Sequence, residues 1–223
     1  TYIRELVAQE IFGVQFEIGG KPLEKGIVCE PESLALLNRV SGLQLVKNTD
    51  RRSNGWLTGE ADIFDGAHRR GHDLKTSWSL ATFPILPIDC TNKIYEWQMR
   101  GYMVLWDAEE WEVDYCMVST PEDLIGYEDM QIHLVDHIPE NHRVTSWVIQ
   151  RDRSLEPLMK ARVQAAQSYA YEVLREFDRT HALLGADPGA PWLSDVPAQA
   201  TPAPSPAPAP AARPTTTELE LNF

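Results

Sequence analysis

The stretch that decides the fold is residues 56–76, WLTGEADIFDGAHRRGHDLKT. Residues 56–64 alternate well enough for a β-strand, residues 65–71 form a polar turn with a glycine near each end, and residues 72–76 favour the returning strand. Side chains two residues apart on a strand point to the same face, as Asp73 and Lys75 would here. The sequence therefore predicts a β-hairpin that brings a carboxylate of the first strand, Asp62, next to this pair.

Two carboxylates on paired strands lie close enough to share a divalent cation. The backbone carbonyl of Leu74 adds a further hard oxygen ligand, and Mg²⁺ prefers ligand sets of this kind. Beside the metal, Lys75 would position or deprotonate an attacking water. An Asp-x-Lys pair alone is more often a solvated strand segment or a surface ion pair, so the metal interpretation depends on the groups that accompany Asp73 and Lys75.

Two predicted helices supply those groups. Residues 30–40, EPESLALLNRV, have helical spacing. Glu30 at their start would complete the metal site, or would act as a first-turn acid that favours the helix dipole. Residues 92–107 predict a second helix in which Gln98 and Tyr102 lie on one face. Their side chains could hold a phosphate, a base edge or the lysine of the hairpin; alternatively, the tyrosine packs in the core and the glutamine caps a neighbouring element.

The rest of the body completes a mixed α/β pattern. The patterns predict a strand at 43–47, a turn at 48–54, a strand at 111–119 and a long helix at 154–178. The expected order is α-β-β-β-α-β-α, which indicates a central mixed β-sheet flanked by helices.

Several of these motifs together resemble a known superfamily. Residues 59–78, GEADIFDGAHRRGHDLKTSW, resemble the core of PD-(D/E)XK nucleases, and QMRGY at 98–102 matches the QhXXY motif of the RecB-like and lambda-exonuclease-like (YqaJ-type) branch. Residues 25–40, KGIVCEPESLALLNRV, look like the first helix of that branch with its acidic ligand. Residues 146–174 are similar to the C-terminal helix of phage exonucleases of this type. The resemblance spans roughly residues 25–178.

The resemblance implies a restriction-endonuclease-like core and one or two Mg²⁺ or Mn²⁺ ions per site. It implies these catalytic and site-supporting residues: Asp62, Asp73 and Glu30 as metal ligands, Lys75 for the water, and Gln98 and Tyr102 as support. Ala61 stands where the family name has proline, which is a common departure. Residues 1–24 lack the arginine-containing motif that many viral recombinase exonucleases carry before the first helix, so exonuclease or endonuclease action and the polarity of cleavage stay open.

The net charge of the chain limits the ways in which it can bind nucleic acid. The net charge is −13, which excludes a general nucleic-acid coat protein, because such a protein needs broad positive charge. Positive charge must then be local. The candidate groups are Lys47 with Arg51 and Arg52, the pair Arg69 and Arg70, and Lys93 with Arg100. The residues that we expect to contact DNA are Arg51, Arg52, Arg100, Ser77 and Trp78, the last through base stacking.

Composition also limits the cellular setting. The sequence has no apolar run long enough for a membrane span and no secretory pattern. Its three cysteines are far apart and odd in number, which does not suit a disulfide framework. We therefore expect a cytoplasmic protein without a membrane partner, in the bacterial host cytoplasm if the gene belongs to a phage.

The composition changes towards the C-terminus. We expect a nuclease domain at 1–182, a disordered Pro/Ala-rich linker at 183–214 and an acidic, hydrophobic docking motif at 215–223. Alternating Ala-Pro forms neither helix nor ladder, because proline lacks the N–H and fixes φ. The last residues, TTTELELNF, place Leu219, Leu221 and Phe223 among acids. They resemble the bacterial sliding-clamp motif and the tip of single-stranded-DNA-binding proteins, although a chain end without a function fits equally well.

The function that these features favour is a Mg²⁺-dependent DNA nuclease. We expect an exonuclease that processes double-stranded ends in phage-type recombination or replication. The expected partners are DNA and, through the tail, a single-strand annealing protein, a single-stranded-DNA-binding protein or the sliding clamp; a homo-oligomer is implied by analogy only. The alternatives are a structure-specific endonuclease and a non-catalytic adaptor that binds DNA ends. Because no ligand and no lysine of the motif is missing, the enzyme is favoured over the adaptor.

Overall fold

The helices and strands follow one another in a mixed order. The computed structural model of the protein describes residues 2–16 and 19–183. The helices are α1 (Tyr2–Phe12), α2 (Lys21–Ser41), α3 (Lys93–Trp106), α4 (Glu122–Ile125) and α5 (Glu156–Leu183). The strands are β1 (Arg51–Ser53), β2 (Thr58–Glu60), β3 (Ile63–Asp65), β4 (Arg70–Thr76), β5 (Glu110–Cys116) and β6 (Val144–Gln150). Apart from Leu183, which ends α5, the predicted linker lies outside the described residues, as does the docking motif with Leu219, Leu221 and Phe223.

The described residues divide into two units. One contains α1 and the part of α5 from Arg162 onward. In it, the ring of Phe12 meets the ring of Phe177 edge-on, with 6.2 Å between their centroids, and Arg4 Nε donates to the Tyr169 hydroxyl at 2.8 Å. The other unit contains the remaining elements, including both sheets. Among the described helices, none combines the length and the apolar character that crossing a bilayer requires.

The main sheet has four strands in the order β3-β4-β5-β6. Its central pair, β4 and β5, is parallel, and both outer pairs are antiparallel. Helix α3 lies between the two parallel strands in the chain, which is the usual crossover for such a pair. Gly71 lies opposite Trp111 in this pair. A Cβ atom on Gly71 would stand 2.3 Å from the buried indole, so only glycine permits this approach.

Each face of the sheet packs against one helix. On one face, Met99, Met103 and Trp106 of α3 form a buried cluster with Trp111 and Val113 of β5. On the other face, Leu36 and Leu37 of α2 pack with Ile63, Cys116 and Val118. The expected mixed α/β fold with a sheet flanked by helices is therefore confirmed. The strand alternation directs Asp73 and Lys75 towards the α3 face, since Gly71, two residues earlier, packs there against Trp111.

Two local predictions were wrong: the start of the first predicted helix and the strand at 43–47. Helix α2 begins at Lys21 instead of residue 30 and carries Pro31 in its interior, although proline usually marks a first turn. Residues 43–47 form no strand. The side chain of Asn38 instead bonds both backbone groups of Leu45, accepting from its N–H at 2.7 Å and donating to its carbonyl at 2.9 Å.

The predicted hairpin has a broken first strand. Residues 56–64 split into β2 and β3, which belong to different sheets. The partner of β2 is β1, a strand that forms where the sequence predicted the turn at 48–54. At the break, Asn48 donates its backbone N–H to the Asp62 carbonyl at 2.7 Å and its side-chain amide to the Ala61 carbonyl at 3.0 Å. Further along, residues 146–150, expected to be helical by resemblance, belong to β6, which pairs along its whole length with β5.

Candidate metal centre

Asp62 is positioned by the return strand of the hairpin. It lies directly before β3, and its Oδ2 accepts the backbone N–H of Leu74 at 2.9 Å. Leu74 stands between Asp73 and Lys75 on β4. The Asp62 carboxylate is therefore fixed against the segment that carries the other two groups, as the sequence predicted. Burial raises the pKa of Asp62, and the nearby Glu30 carboxylate raises it further, whereas Leu74 and the lysines lower it.

Asp73 and Lys75 form a largely buried ion pair. Lys75 Nζ lies 2.7 Å from Asp73 Oδ2. The same ammonium lies 4.7 Å from the centre of the Tyr95 ring, which adds a cation–π contact. Burial raises the pKa of Asp73 to about 6, and the Asp62 carboxylate adds to this rise while Lys75 opposes it. For Asp73, the effect of burial therefore outweighs the stabilisation of the carboxylate by Lys75.

Glu30 reaches the site from the middle of α2 and not from a first turn. The interpretation as a first-turn acid is wrong, because the helix begins nine residues earlier, at Lys21. Lys47 Nζ lies within hydrogen-bond distance of both carboxylate oxygens of Glu30, at 2.6 Å from Oε1. The charge of Glu30 raises the pKa of Asp62, so the two carboxylates interact electrostatically.

Gln98 and Tyr102 occupy one face of α3, and the alternative in which the tyrosine packs in the core is confirmed. Gln98 Nε2 donates to the Tyr102 hydroxyl at 3.2 Å. The tyrosine ring is buried in the α3 cluster, where a Cβ atom on Gly59 would stand only 2.7 Å from it. Burial raises the pKa of Tyr102 to about 12, with contributions from Asp73 and Asp62. The phenol therefore belongs to the core and also lies close to the aspartates.

The donor set suits a hard divalent cation. Asp62, Asp73 and Glu30 offer carboxylate oxygens, and Mg²⁺ and Mn²⁺ prefer oxygen ligands. Burial, which disfavours the ionised carboxylates, is the main cause of the raised pKa values of both aspartates. A cation between them would remove this cost, so the residues fit such an ion. The Leu74 carbonyl stays a predicted ligand.

A second acidic cluster lies on the opposite side of β4. His72 Nδ1 lies 2.8 Å from Asp114 Oδ2 and 3.7 Å from Glu112 Oε2. Arg70 pairs with Glu112 at 3.0 Å, and Ser146 Oγ donates to Asp114. Sequence reasoning missed the two acids of β5, because nothing local indicates that they face the strand of His72. Since a guanidinium and an imidazole already lie against these carboxylates, the cluster forms an internal network.

Several predicted DNA contacts are held by the protein itself. Trp78 Nε1 donates to Glu128 at 3.1 Å, and its ring meets His133 edge-on at 4.9 Å. Ser77 is buried, and its backbone N–H donates to the Cys116 carbonyl at 2.9 Å.

The arginines expected to meet DNA differ in exposure. Arg51 is exposed on β1. Arg52 lies over the Trp106 ring at 5.2 Å. Arg100 pairs with Glu96 at 2.9 Å and is largely buried. Arg51 and Arg52 are therefore both exposed, in contrast to Arg100.

Comparison with solved structures finds exonucleases. A phage-related exonuclease from Haemophilus somnus 129PT is 34% identical, with a TM-score of 0.74, and the match covers 79% of this chain and 82% of that chain. An alkaline exonuclease from Laribacter hongkongensis is 16% identical, with a TM-score of 0.59, over 82% of this chain and 84% of the other. A structure of the same enzyme in complex with dAMP gives 17% identity, a TM-score of 0.54 and coverage of 82% and 85%. No protein-family model and no curated protein matches the sequence.

The phage-related exonuclease is similar enough over enough of its length to show common descent, and the two structures of the Laribacter enzyme share the fold. The chain therefore belongs to the lambda-exonuclease-like branch of the PD-(D/E)XK nuclease superfamily, as the resemblance of its motifs predicted. Within this family it is a nuclease of the exonuclease type.

Proposed function

We propose that this protein is a Mg²⁺- or Mn²⁺-dependent DNA exonuclease that degrades one strand from double-stranded ends. The observation that carries the proposal is the pair of Asp73 and Lys75, whose charged atoms lie 2.7 Å apart, with the Asp62 carboxylate bonded at 2.9 Å to the backbone N–H of Leu74 between them. Hard oxygen donors next to a lysine are the requirements of metal-assisted phosphodiester hydrolysis. The similarity to exonucleases supports the same activity.

Each side chain of the site has a proposed role. Asp62, Asp73 and Glu30 would hold one or two ions, which supply Lewis-acid stabilisation of phosphate oxygens and lower the pKa of water. Lys75 is held by Asp73 and Tyr95. From this position its ammonium would orient the attacking water. Gln98 donates to the Tyr102 hydroxyl, which would in turn donate to a ligand water or to a phosphate.

The wider context extends this proposal. Arg51, Arg52, Arg100, Ser77 and Trp78 are the proposed DNA contacts, and Arg51 has the exposure that a phosphate contact needs. Action in phage-type recombination or replication fits an exonuclease family, with the tail as the proposed tether to an annealing protein, a single-stranded-DNA-binding protein or the clamp. A homo-oligomer and a cytoplasmic location stay predictions.

The decisive experiment compares DNA substrates and site variants. End-labelled linear duplexes, blunt and recessed, and a covalently closed circle are incubated with the purified protein in Mn²⁺ or in EDTA. We expect release of nucleotides from linear DNA in Mn²⁺ alone. Asp73→Asn and Lys75→Met should each reduce the rate by at least about 10²-fold, the scale of a lost acid–base or ligand group. Asp123→Asn on α4 removes an exposed carboxylate and serves as the matched control.

Two results would contradict this function. Cleavage of the closed circle as fast as linear DNA would favour the structure-specific endonuclease. Binding of DNA ends without cleavage in any divalent metal would favour the non-catalytic adaptor. Folding of each variant is checked by thermal unfolding, so that loss of activity is not confused with loss of structure.

A further inference from the structure

The cation that meets Glu30 in this structure is a lysine of the chain itself. Lys47 Nζ lies 2.6 Å from Glu30 Oε1 and close to Oε2, so one ammonium occupies both oxygens. About half of the Lys47 side chain is exposed (51%), whereas Glu30 is 26% exposed. The pair therefore stands at the solvent edge of the candidate metal centre.

The backbone around Lys47 is fixed on both sides. Asn48, the next residue, bonds the carbonyls of Asp62 and Ala61 at 2.7 Å and 3.0 Å. Leu45, two residues earlier, is bonded through both backbone groups to the side chain of Asn38 on α2. These anchors hold Lys47 between the helix of Glu30 and the loop of Asp62. Its place beside the carboxylates is therefore part of the fold and not an accident of a mobile segment.

The two lysines of the site differ in their freedom to move. Lys75 is largely buried and is held between Asp73 and the Tyr95 ring. Lys47 is anchored only at its backbone and reaches Glu30 through a flexible four-carbon stem. A divalent ion that binds Glu30 needs the carboxylate oxygens that Lys47 now holds. The ammonium must then leave, and it would be released at the mouth of a site whose substrate is a polyanion.

We propose that Lys47 is an exchangeable counter-ion, which neutralises Glu30 in the metal-free protein and donates to a phosphate of the DNA strand once a divalent ion takes Glu30. This inference rests on the proposed function, since it assigns Lys47 to the same metal centre and the same substrate. It gives Lys47 two opposite effects, because the lysine competes with the metal and assists DNA binding. A residue with a purely structural role would not produce this combination.

The test measures metal binding and DNA binding separately. Lys47→Met keeps the length of the side chain and removes the charge, Lys47→Arg keeps the charge, and Lys160→Met removes an exposed charge from α5 as the matched control. Mn²⁺ binding is measured by calorimetry without DNA at fixed low ionic strength, because exposed charge pairs are screened by salt. Steady-state cleavage of a linear duplex then gives KM and kcat.

For Lys47→Met we expect Mn²⁺ to bind about threefold to fivefold more tightly, the scale of an exposed ion pair that no longer competes. KM for DNA should rise about tenfold with kcat little changed, since a charge-assisted hydrogen bond to phosphate is lost. Lys47→Arg should restore KM, and Lys160→Met should change neither quantity.

Unchanged or weaker Mn²⁺ binding by Lys47→Met would overturn the proposal, and so would tighter Mn²⁺ binding without a rise in KM. Failure of the proposed function gives a different result. In that case the wild-type protein itself would bind no Mn²⁺ or would cleave no DNA.

Discussion

Lys25 offers a direct test of how the site is held together. This lysine of α2 is fully buried, and its Nζ donates to the backbone carbonyls of Ser77 at 2.8 Å, Trp78 at 3.0 Å and Val118 at 2.8 Å. Two of these carbonyls follow β4 and the third follows β5. The lysine therefore ties the helix that carries Glu30 to the ends of the two parallel strands.

Lys25→Met keeps most of the buried volume and removes every donor. The Trp78 carbonyl still accepts from Thr120 Oγ1 at 3.1 Å, so the carbonyls of Ser77 and Val118 lose the donor that they have here. A buried unsatisfied carbonyl costs about 1–3 kcal/mol, which gives about 2–6 kcal/mol for both. Burial also lowers the pKa of Lys25 to about 8, so the ammonium is itself costly to bury. We therefore expect a loss in the lower half of that range, about 2–4 kcal/mol.

Lys21→Met is the matched control, because Lys21 lies on the same helix, is exposed and makes one long bond of 3.3 Å to the Ile125 carbonyl. Urea unfolding followed by circular dichroism gives the free energy of unfolding for each variant. The control should stay within about 0.5 kcal/mol of wild type. Lys25→Met should also weaken Mn²⁺ binding, since the helix of Glu30 loses its tie to β4. Equal stability of the two variants would refute the reasoning.

Further predictions concern the close approach in the sheet and the protonation of the site. Gly71→Ala should lower the free energy of unfolding by about 1–3 kcal/mol, because its Cβ would meet the buried Trp111 ring. Gly66→Ala, in the same hairpin, is the control: its Cβ would lie 3.7 Å from the Phe64 ring, so it should be near neutral in the same urea assay. In EDTA, the free energy of unfolding of wild type minus that of Asp73→Asn should fall as the pH rises from about 4 to 6. The native carboxyl of Asp73, with a pKa of about 6, still binds a proton that the unfolded chain releases near 3.8, which corresponds to a change on the order of 3 kcal/mol. A rise with pH in this difference would contradict the assignment of the buried charge.

Local patterns were enough to predict which of the candidate site residues share one face of a strand or a helix. Asp73 and Lys75 follow from the alternation of one strand, and Gln98 and Tyr102 follow from the spacing of one helix, which the structure places at Lys93–Trp106. Both elements bury one face against the other, so local periodicity and tertiary packing agree.

The errors arise where backbone N–H and C=O groups are hydrogen-bonded by side chains that are distant in the sequence. Asn38 and Asn48 replace ladder hydrogen bonds at residues 43–47 and at the break before β3, and nothing in the local pattern distinguishes such asparagines from turn residues. The start of α2 was predicted at residue 30, next to Pro31, whereas the helix begins at Lys21. Glu30 therefore lies in the middle of the helix and not in its first turn. The partners of Lys25 and Lys47 depend on the same long-range geometry.

The charges of the site explain why those partners matter. Asp62, Asp73 and Glu30 bring three negative charges, and Lys75 and Lys47 bring two positive ones, so the metal-free arrangement carries a net charge of about −1. If Lys47 withdraws, the balance becomes about −2, which is the charge that one divalent ion neutralises. A permanently paired Glu30 would instead leave the ion in excess of the local negative charge. In the proposed metal centre, the exposed position of Lys47, in contrast to the largely buried Lys75, would therefore let the site be stable without metal and still match the charge of the metal when it binds.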